Sequence, residues 1–157
     1  MNGQPLEGRP LPEIELEEWQ GGVKSLDDLK GRIVVIDFWA TWCHPCIGDV
    51  PRNNKFLEDY EDAGVVIVGI CATAGAAKME EFASKHGINY PLCKDVKKNA
   101  EEVLHVRWFP SYFVVDRGGI VRGARVTHAE AGKLVDHLLD IEKSGDDGGG
   151  ETEEGEA

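Results

Sequence analysis

The chain reads as an α/β protein, a mixed central sheet with helices on both faces, and three observations predict this. Apolar, β-branched runs occur at Ile33–Trp39 and Val65–Cys71, too continuous for strands with one face in water. Each run is followed by a charged stretch whose apolar residues return at helical spacing. The chain then closes on two further strands, residues 111–116 and 120–126, joined by the short turn Arg117-Gly118-Gly119. A length of 157 residues accommodates one domain with a single core.

The elements follow in order. Ile14, Glu15, Leu16, Glu17, Glu18 and Trp19 lead into Gly21-Gly22, and the alternation with its glycine pair predicts an N-terminal hairpin. Ser25 with Asp28 has the form of a capping box, predicting a short helical turn over 25–30 closed by Gly31. After the first buried strand, Val50, Phe56, Leu57 and Tyr60 predict a helix over about 44–62, with Pro51 placed to kink it and Gly64 to end it. Met79, Phe82 and Ala83 share a face of a helix over 78–86 that stops at Gly87. Beyond Tyr90-Pro91 the positions Val96, Ala100, Val103 and Leu104 repeat the helical period. Thr127 with Glu130 caps a last helix carrying Leu134, Val135, Leu138 and Ile141. The predicted order is ββ, α, β, α, β, α, α, β, β, α.

Net charge is −12, but the stretch 144–157 holds six acids and no base, so half the charge lies outside the folded part. We divide the chain into a domain over 1–143 and an acidic tail over 144–157 with nothing to bury, expected to be disordered. Such a balance disfavours nucleic acid and anionic lipid surfaces as partners, since no basic stripe offsets it. The longest apolar run, 65–72, is too short to span a bilayer, so no membrane insertion is expected.

Four cysteines divide into a close pair, Cys43 and Cys46, and two single residues, Cys71 and Cys93. The pair falls where a buried strand gives way to a helix. A thiolate in a helix's first turn meets unpaired N–H groups and the positive end of the dipole, which in Cys-x-x-Cys settings lowers a thiol pKa from about 8.5 into roughly 3.5–7.5. Cys43 is therefore the expected nucleophile and Cys46 the resolving thiol. Pro45 lies early enough in the helix to cost no hydrogen bond and stiffens the loop between the sulfurs, and an imidazolium at His44 would stabilise the thiolate. Zinc or copper binding is the weaker reading, because Cys71, Cys93, His86, His105, His128 and His137 form no second half-site. A purely structural disulfide closes too short a loop to stabilise much. No metal or other cofactor is expected. Cys71 reads as a small buried hydrophobe, and a bond to Cys93 is open if their strands are neighbours.

The segment Asp37-Phe38-Trp39-Ala40-Thr41-Trp42-Cys43-His44-Pro45-Cys46 resembles the active-site segment of thioredoxins, and closely that of the TlpA/ResA-type thioredoxin-like proteins. The likeness extends to Pro51, five residues beyond Cys46, and to Trp108-Phe109-Pro110-Ser111-Tyr112. It covers residues 6–143, with 73–106 resembling the central insert of that group. The resemblance implies a thioredoxin fold and a thiol:disulfide oxidoreductase, either a protein-disulfide reductase or an exchange catalyst, of the kind that serves cytochrome c maturation and redox homeostasis. It implies a cis-proline at Pro110 facing the redox pair, and Asp37 beneath the disulfide exchanging a proton with the resolving thiol. Asp49 matches a second acid of the TlpA/ResA motif. Trp42, with Trp108 and Phe109 opposite, is expected to form an apolar lip for a partner polypeptide.

The expected partners are client thiols or disulfides and a redox donor protein, with the chain itself a monomer. The expected compartment is extracytoplasmic, periplasmic or membrane-tethered, with any export signal lying ahead of Met1; a cytoplasmic setting stays open. Departures from the motif border the sulfurs: His44-Pro45 is neither the Gly-Pro of thioredoxin nor the Pro-His of strongly oxidising enzymes. Two other classes remain as alternatives. A peroxiredoxin-like thiol peroxidase would need a proline and threonine ahead of one peroxidatic cysteine, and only Thr41 is present. A copper- or haem-handling chaperone of the same fold would bind metal through the reduced pair.

Overall fold

A computed structural model describes residues 5–144; the expectation of a disordered tail lies outside the described residues, apart from Ser144, which ends the last helix. The elements are β1 (Leu16–Gln20), β2 (Ile33–Trp39), α1 (His44–Tyr60), β3 (Val65–Cys71), α2 (Met79–His86), β4 (Leu92–Asp95), α3 (Asn99–Val103), β5 (Ser111–Val115), β6 (Val121–Val126) and α4 (His128–Ser144). They build one six-stranded mixed sheet in the order β1-β4-β3-β2-β5-β6. β2 lies at its centre, parallel to β3 and antiparallel to β5. Every residue of β2, β3 and β5 is buried, as continuous apolar runs require.

Alternation along the strands sorts side chains between two layers. Asp37 and Trp39 face the layer of α1 and α2: Asn53 of α1 bonds Asp37, and the Trp39 ring packs on Phe82 at 4.8 Å. Trp39 lies across Gly69, where a Cβ would come within 3.0 Å of the indole nitrogen and 2.6 Å of Leu92 Cδ2; the glycine is the space the ring needs. α4 joins this layer through Phe56–His128 ring contact and a Tyr60–Asp136 hydrogen bond. On the opposite face Asp95 receives the backbone N–H groups of Ala100 and Glu101 and so anchors α3. The Thr127–Glu130 capping box forms as predicted, Thr127 N–H donating to the Glu130 carboxylate and Glu130 N–H to Thr127 Oγ1.

The N-terminal hairpin does not form. Only Val23 and Lys24 separate Gly21-Gly22 from Ser25, too few for a second strand, and the chain turns directly into a 3-10 turn at Leu26–Leu29. β1 pairs antiparallel with β4 instead. Gly21, at φ 88°, brings the backbone so close to Pro91 that a Cβ would lie 2.9 Å from Pro91 Cα. Upstream, Pro10 bridges Ile120 beside β6, so the N-terminal segment crosses from one edge of the sheet to the other and covers part of both. β4, absent from the predicted order of elements, lies in the stretch where Cys93 had suggested a neighbouring strand.

Candidate active site

Cys43 is the N-cap residue of α1 and Cys46 its third helical residue, with His44 and Pro45 exposed between them. The two cysteines are joined as a disulfide, Cα to Cα 5.3 Å. The Cys46 N–H is shared between Cys43 O and Cys43 Sγ, each 3.2 Å away, so a thiolate on Cys43 would receive a backbone donor where the helix dipole is positive. Relative exposures of 5% for Cys43 and 4% for Cys46 do not rank the two sulfurs, so the donor is what distinguishes Cys43.

The predicted lip is placed around this end of the sheet. Trp42 is 59% exposed and Trp108 52%, large apolar surfaces for residues in contact with water. Trp42 is held in place by its indole N–H donating to Ala74 O and by its edge meeting the Phe109 ring at 5.4 Å. Thr41 Oγ1 donates to Gly75 O alongside. Phe109 also stacks on Phe38 of β2, and the Phe109–Pro110 peptide is cis, as the resemblance implied. Because Ser111 pairs with Phe38, Pro110 arrives at the end of β2 that leads to Cys43.

Beneath α1 lies a buried polar cluster. Asp37, 3% exposed, accepts a hydrogen bond at Oδ2 from the Asn53 amide at 3.0 Å, while its Oδ1 is buried with no partner. Burial first, and the nearby Asp49 charge second, push its pKa up to about 8 against the lowering effect of the Asn53 bond. Asp49, read from sequence equally well as a surface residue, is buried and accepts from the Tyr112 hydroxyl at 2.8 Å, with Arg52 3.4 Å away on its outer side. Asn53, Tyr90 and Tyr112 complete the cluster and were not singled out from sequence. A partial signal existed in the helical spacing of Cys46, Asp49 and Asn53, whereas the pairing of Tyr112 with Asp37 across β5 and β2 exists only in the folded sheet. Burial raises the pKa of both tyrosines.

Cys71 and Cys93 are both free and fully buried. Burial pushes the Cys71 thiol up to about 12 and raises Cys93 as well. Among the described residues no group of three or more His, Cys, Asp and Glu side chains is arranged to hold a metal ion. A cavity of about 780 Å³ lies between the crossing N-terminal segment, the 3-10 turn and the β5–β6 turn, and none of its lining residues belongs to the redox site.

A match to the AhpC/TSA family covers residues 8–124. The chain belongs to this family. It is 31% identical over 122 residues to the thioredoxin-like protein YneN of Bacillus subtilis, covering 76% of this chain and 71% of the relative. It is 27% identical over 144 residues to the thiol-disulfide oxidoreductase ResA of the same organism, covering 91% and 79%. The matches take in as little as 66% of the length of other ResA relatives. Among solved structures, a Chlorobium tepidum protein named for the thiol:disulfide interchange protein DsbE superimposes with a TM-score of 0.74 at 26% identity, covering 85% of this chain and 96% of that one. A thioredoxin-like fold and a TlpA/ResA-type relationship are thus common to sequence and structure. Among the described residues no helix is long and apolar enough to cross a membrane.

Proposed function

We propose that this thioredoxin-fold thiol:disulfide oxidoreductase exchanges disulfides with protein clients through Cys43 and Cys46, and the observation that carries the reading is the Cys46 N–H directed at Cys43 Sγ from the first turn of α1. The Cys43 thiolate attacks a client disulfide, whose S–S bond breaks; one client sulfur leaves as thiolate and the other is held in a mixed disulfide. The Cys46 thiol passes its proton to the Asp37 carboxylate and attacks Cys43 Sγ. The second client sulfur leaves, the Cys43–Cys46 disulfide forms and Asp37 holds the proton. A carboxyl with a pKa of about 8 suits that exchange near neutral pH. Run backwards, the same steps oxidise a client dithiol.

Trp42, Phe109 and Trp108 receive an extended client segment, Pro110 positions it beside the sulfurs, and His44 and Pro45 border it. Restoring the reduced pair takes a redox donor protein of dithiol chemistry. The ResA and DsbE likeness supports an extracytoplasmic setting and a role in cytochrome c maturation. A single-cysteine peroxidase is disfavoured because the candidate nucleophile already has its resolving partner three residues away.

The test is a pair of substitutions assayed on a disulfide-bonded polypeptide such as insulin. Cys43→Ser abolishes reduction, while Cys46→Ser accumulates a mixed disulfide that can be isolated without reductant. Equal trapping by both variants contradicts the assignment of attacking and resolving sulfurs.

A further inference from the structure

Asp37 and Asp49 are linked through two buried residues that touch each other, Asn53 against Asp37 and Tyr112 against Asp49. The Asn53 amide donates to Asp37 Oδ2 at 3.0 Å and lies 3.1 Å from the Tyr112 hydroxyl, which donates to Asp49 Oδ2 at 2.8 Å. Asn53 is fully buried and Tyr112 is 1% exposed. The single Tyr112 hydroxyl proton has two acceptors, Asp49 Oδ2 at 2.8 Å and Asn53 Oδ1 at 3.3 Å, and the shorter contact favours Asp49, whose oxygen is then well suited to carry negative charge. Asp49 also has Arg52 on its solvent side. The Asp37 contacts differ: Oδ1 is buried with no donor, a costly place for an anionic oxygen and an acceptable one for a neutral carboxyl. Two buried carboxylates bridged so closely resist ionising together.

We propose that Asp37 and Asp49 act as one coupled unit bearing a single negative charge, held on Asp49 by Tyr112 and Arg52, with Asn53 and Tyr112 as positioning residues that keep the proton on Asp37 while Cys43 and Cys46 are joined. The inference rests on Asp37 being the acid that exchanges a proton with Cys46, and it deepens that reading by naming what sets its proton affinity. The groups bordering the cluster are Arg52 from α1, Tyr90 from the loop before β4, Tyr112 from β5 and His128 from the start of α4, whose ring is 5.4 Å from that of Tyr112; Cys46 is buried one turn before Asp49 at helical spacing. Reduction of the Cys43–Cys46 disulfide adds two electrons and converts it to a thiol and a thiolate or to two thiols. A proton that Asp37 gives up in the same step therefore changes the slope of the midpoint potential against pH.

The experiment is the midpoint potential of the full chain from about pH 5 to about pH 10, read together with the carboxyl stretch in redox-difference infrared spectra, for the wild type, Asp37→Asn, Asp49→Asn, Asp49→Glu and Tyr112→Phe. Near-ultraviolet circular dichroism confirms that each variant keeps its core. Asp37→Asn removes the carboxyl band and the break in slope that accompanies it, leaving only the break of the cysteine thiols. Asp49→Asn moves the break to lower pH by roughly one unit or more, Tyr112→Phe moves it the same way by less, and Asp49→Glu, which keeps the charge, restores it. An Asp37 break that neither Asp49→Asn nor Tyr112→Phe moves overturns the coupling alone. A redox-linked carboxyl band that survives Asp37→Asn overturns the reading of Asp37, and the coupling with it.

Discussion

Asp37 holds its proton to about pH 8 in the folded protein, whereas an unfolded chain releases it near pH 4. Between those values the native state binds one more proton than the unfolded state, so raising the pH through this window withdraws stability. The burial is therefore a stability cost at neutral pH, which the proposed proton exchange with Cys46 would account for. Asp37→Asn keeps the shape and an acceptor for Asn53 and has no charge to bury. Urea unfolding of the oxidised protein should show the variant more stable by the order of a few kcal/mol at pH 8, with the gain fading toward pH 4. A gain independent of pH contradicts the assignment. The motif made Cys43, Cys46, Asp37 and Pro110 legible, because cysteine spacing and an acid within an apolar strand are written in one dimension. Asn53, Tyr90 and Tyr112 were not, because they come together only when α1 lies across β2 and β5. A tyrosine in a strand and an asparagine in a helix have ordinary roles until their shared neighbour is known.

Between elements, the register of β3 and β4 settles what spacing left open. Cys93 pairs with Ile70 and Cys71 with Lys94, one position further along. Since strand side chains alternate, Cys71 and Cys93 point to opposite faces of the sheet and do not meet as a disulfide. Thiol titration of the denatured, unreduced protein is expected to find two free thiols, both slow to react in the native state because burial raises their pKa. No free thiol would mean a different register. The same distinction explains how the fold was read. The long apolar runs, the helical periods and the Thr127–Glu130 cap depend on neighbours in sequence and were legible. The partner of β1 was not, because its alternation suits any sheet edge, and four-residue β4 is too short to show a period of its own.

Across the whole molecule, Arg117 ties the end of the sheet remote from the sulfurs. From the β5–β6 turn its guanidinium pairs with Glu142 of α4, donates to Ala63 O at 2.7 Å and Gly31 O at 3.2 Å, and lies 3.4 Å from Gly64 O. The ion pair is partly exposed and contributes little, so the satisfied carbonyls carry the effect. Arg117→Ala is expected to lower stability by about 1–3 kcal/mol, and Arg117→Lys not to restore it, because an ammonium lacks the planar fork. Thermal unfolding measures this, and a full rescue by lysine would show that charge alone matters. The clamp also fixes a direction. α4 starts beside Tyr112, where β6 ends, and runs to Glu142 at the clamp, so Ser144 stands at the pole opposite the disulfide. A bead, an electrode or a fusion partner joined there would leave the Trp42 and Trp108 side open to solution, and the protein comes with a built-in handle for oriented attachment.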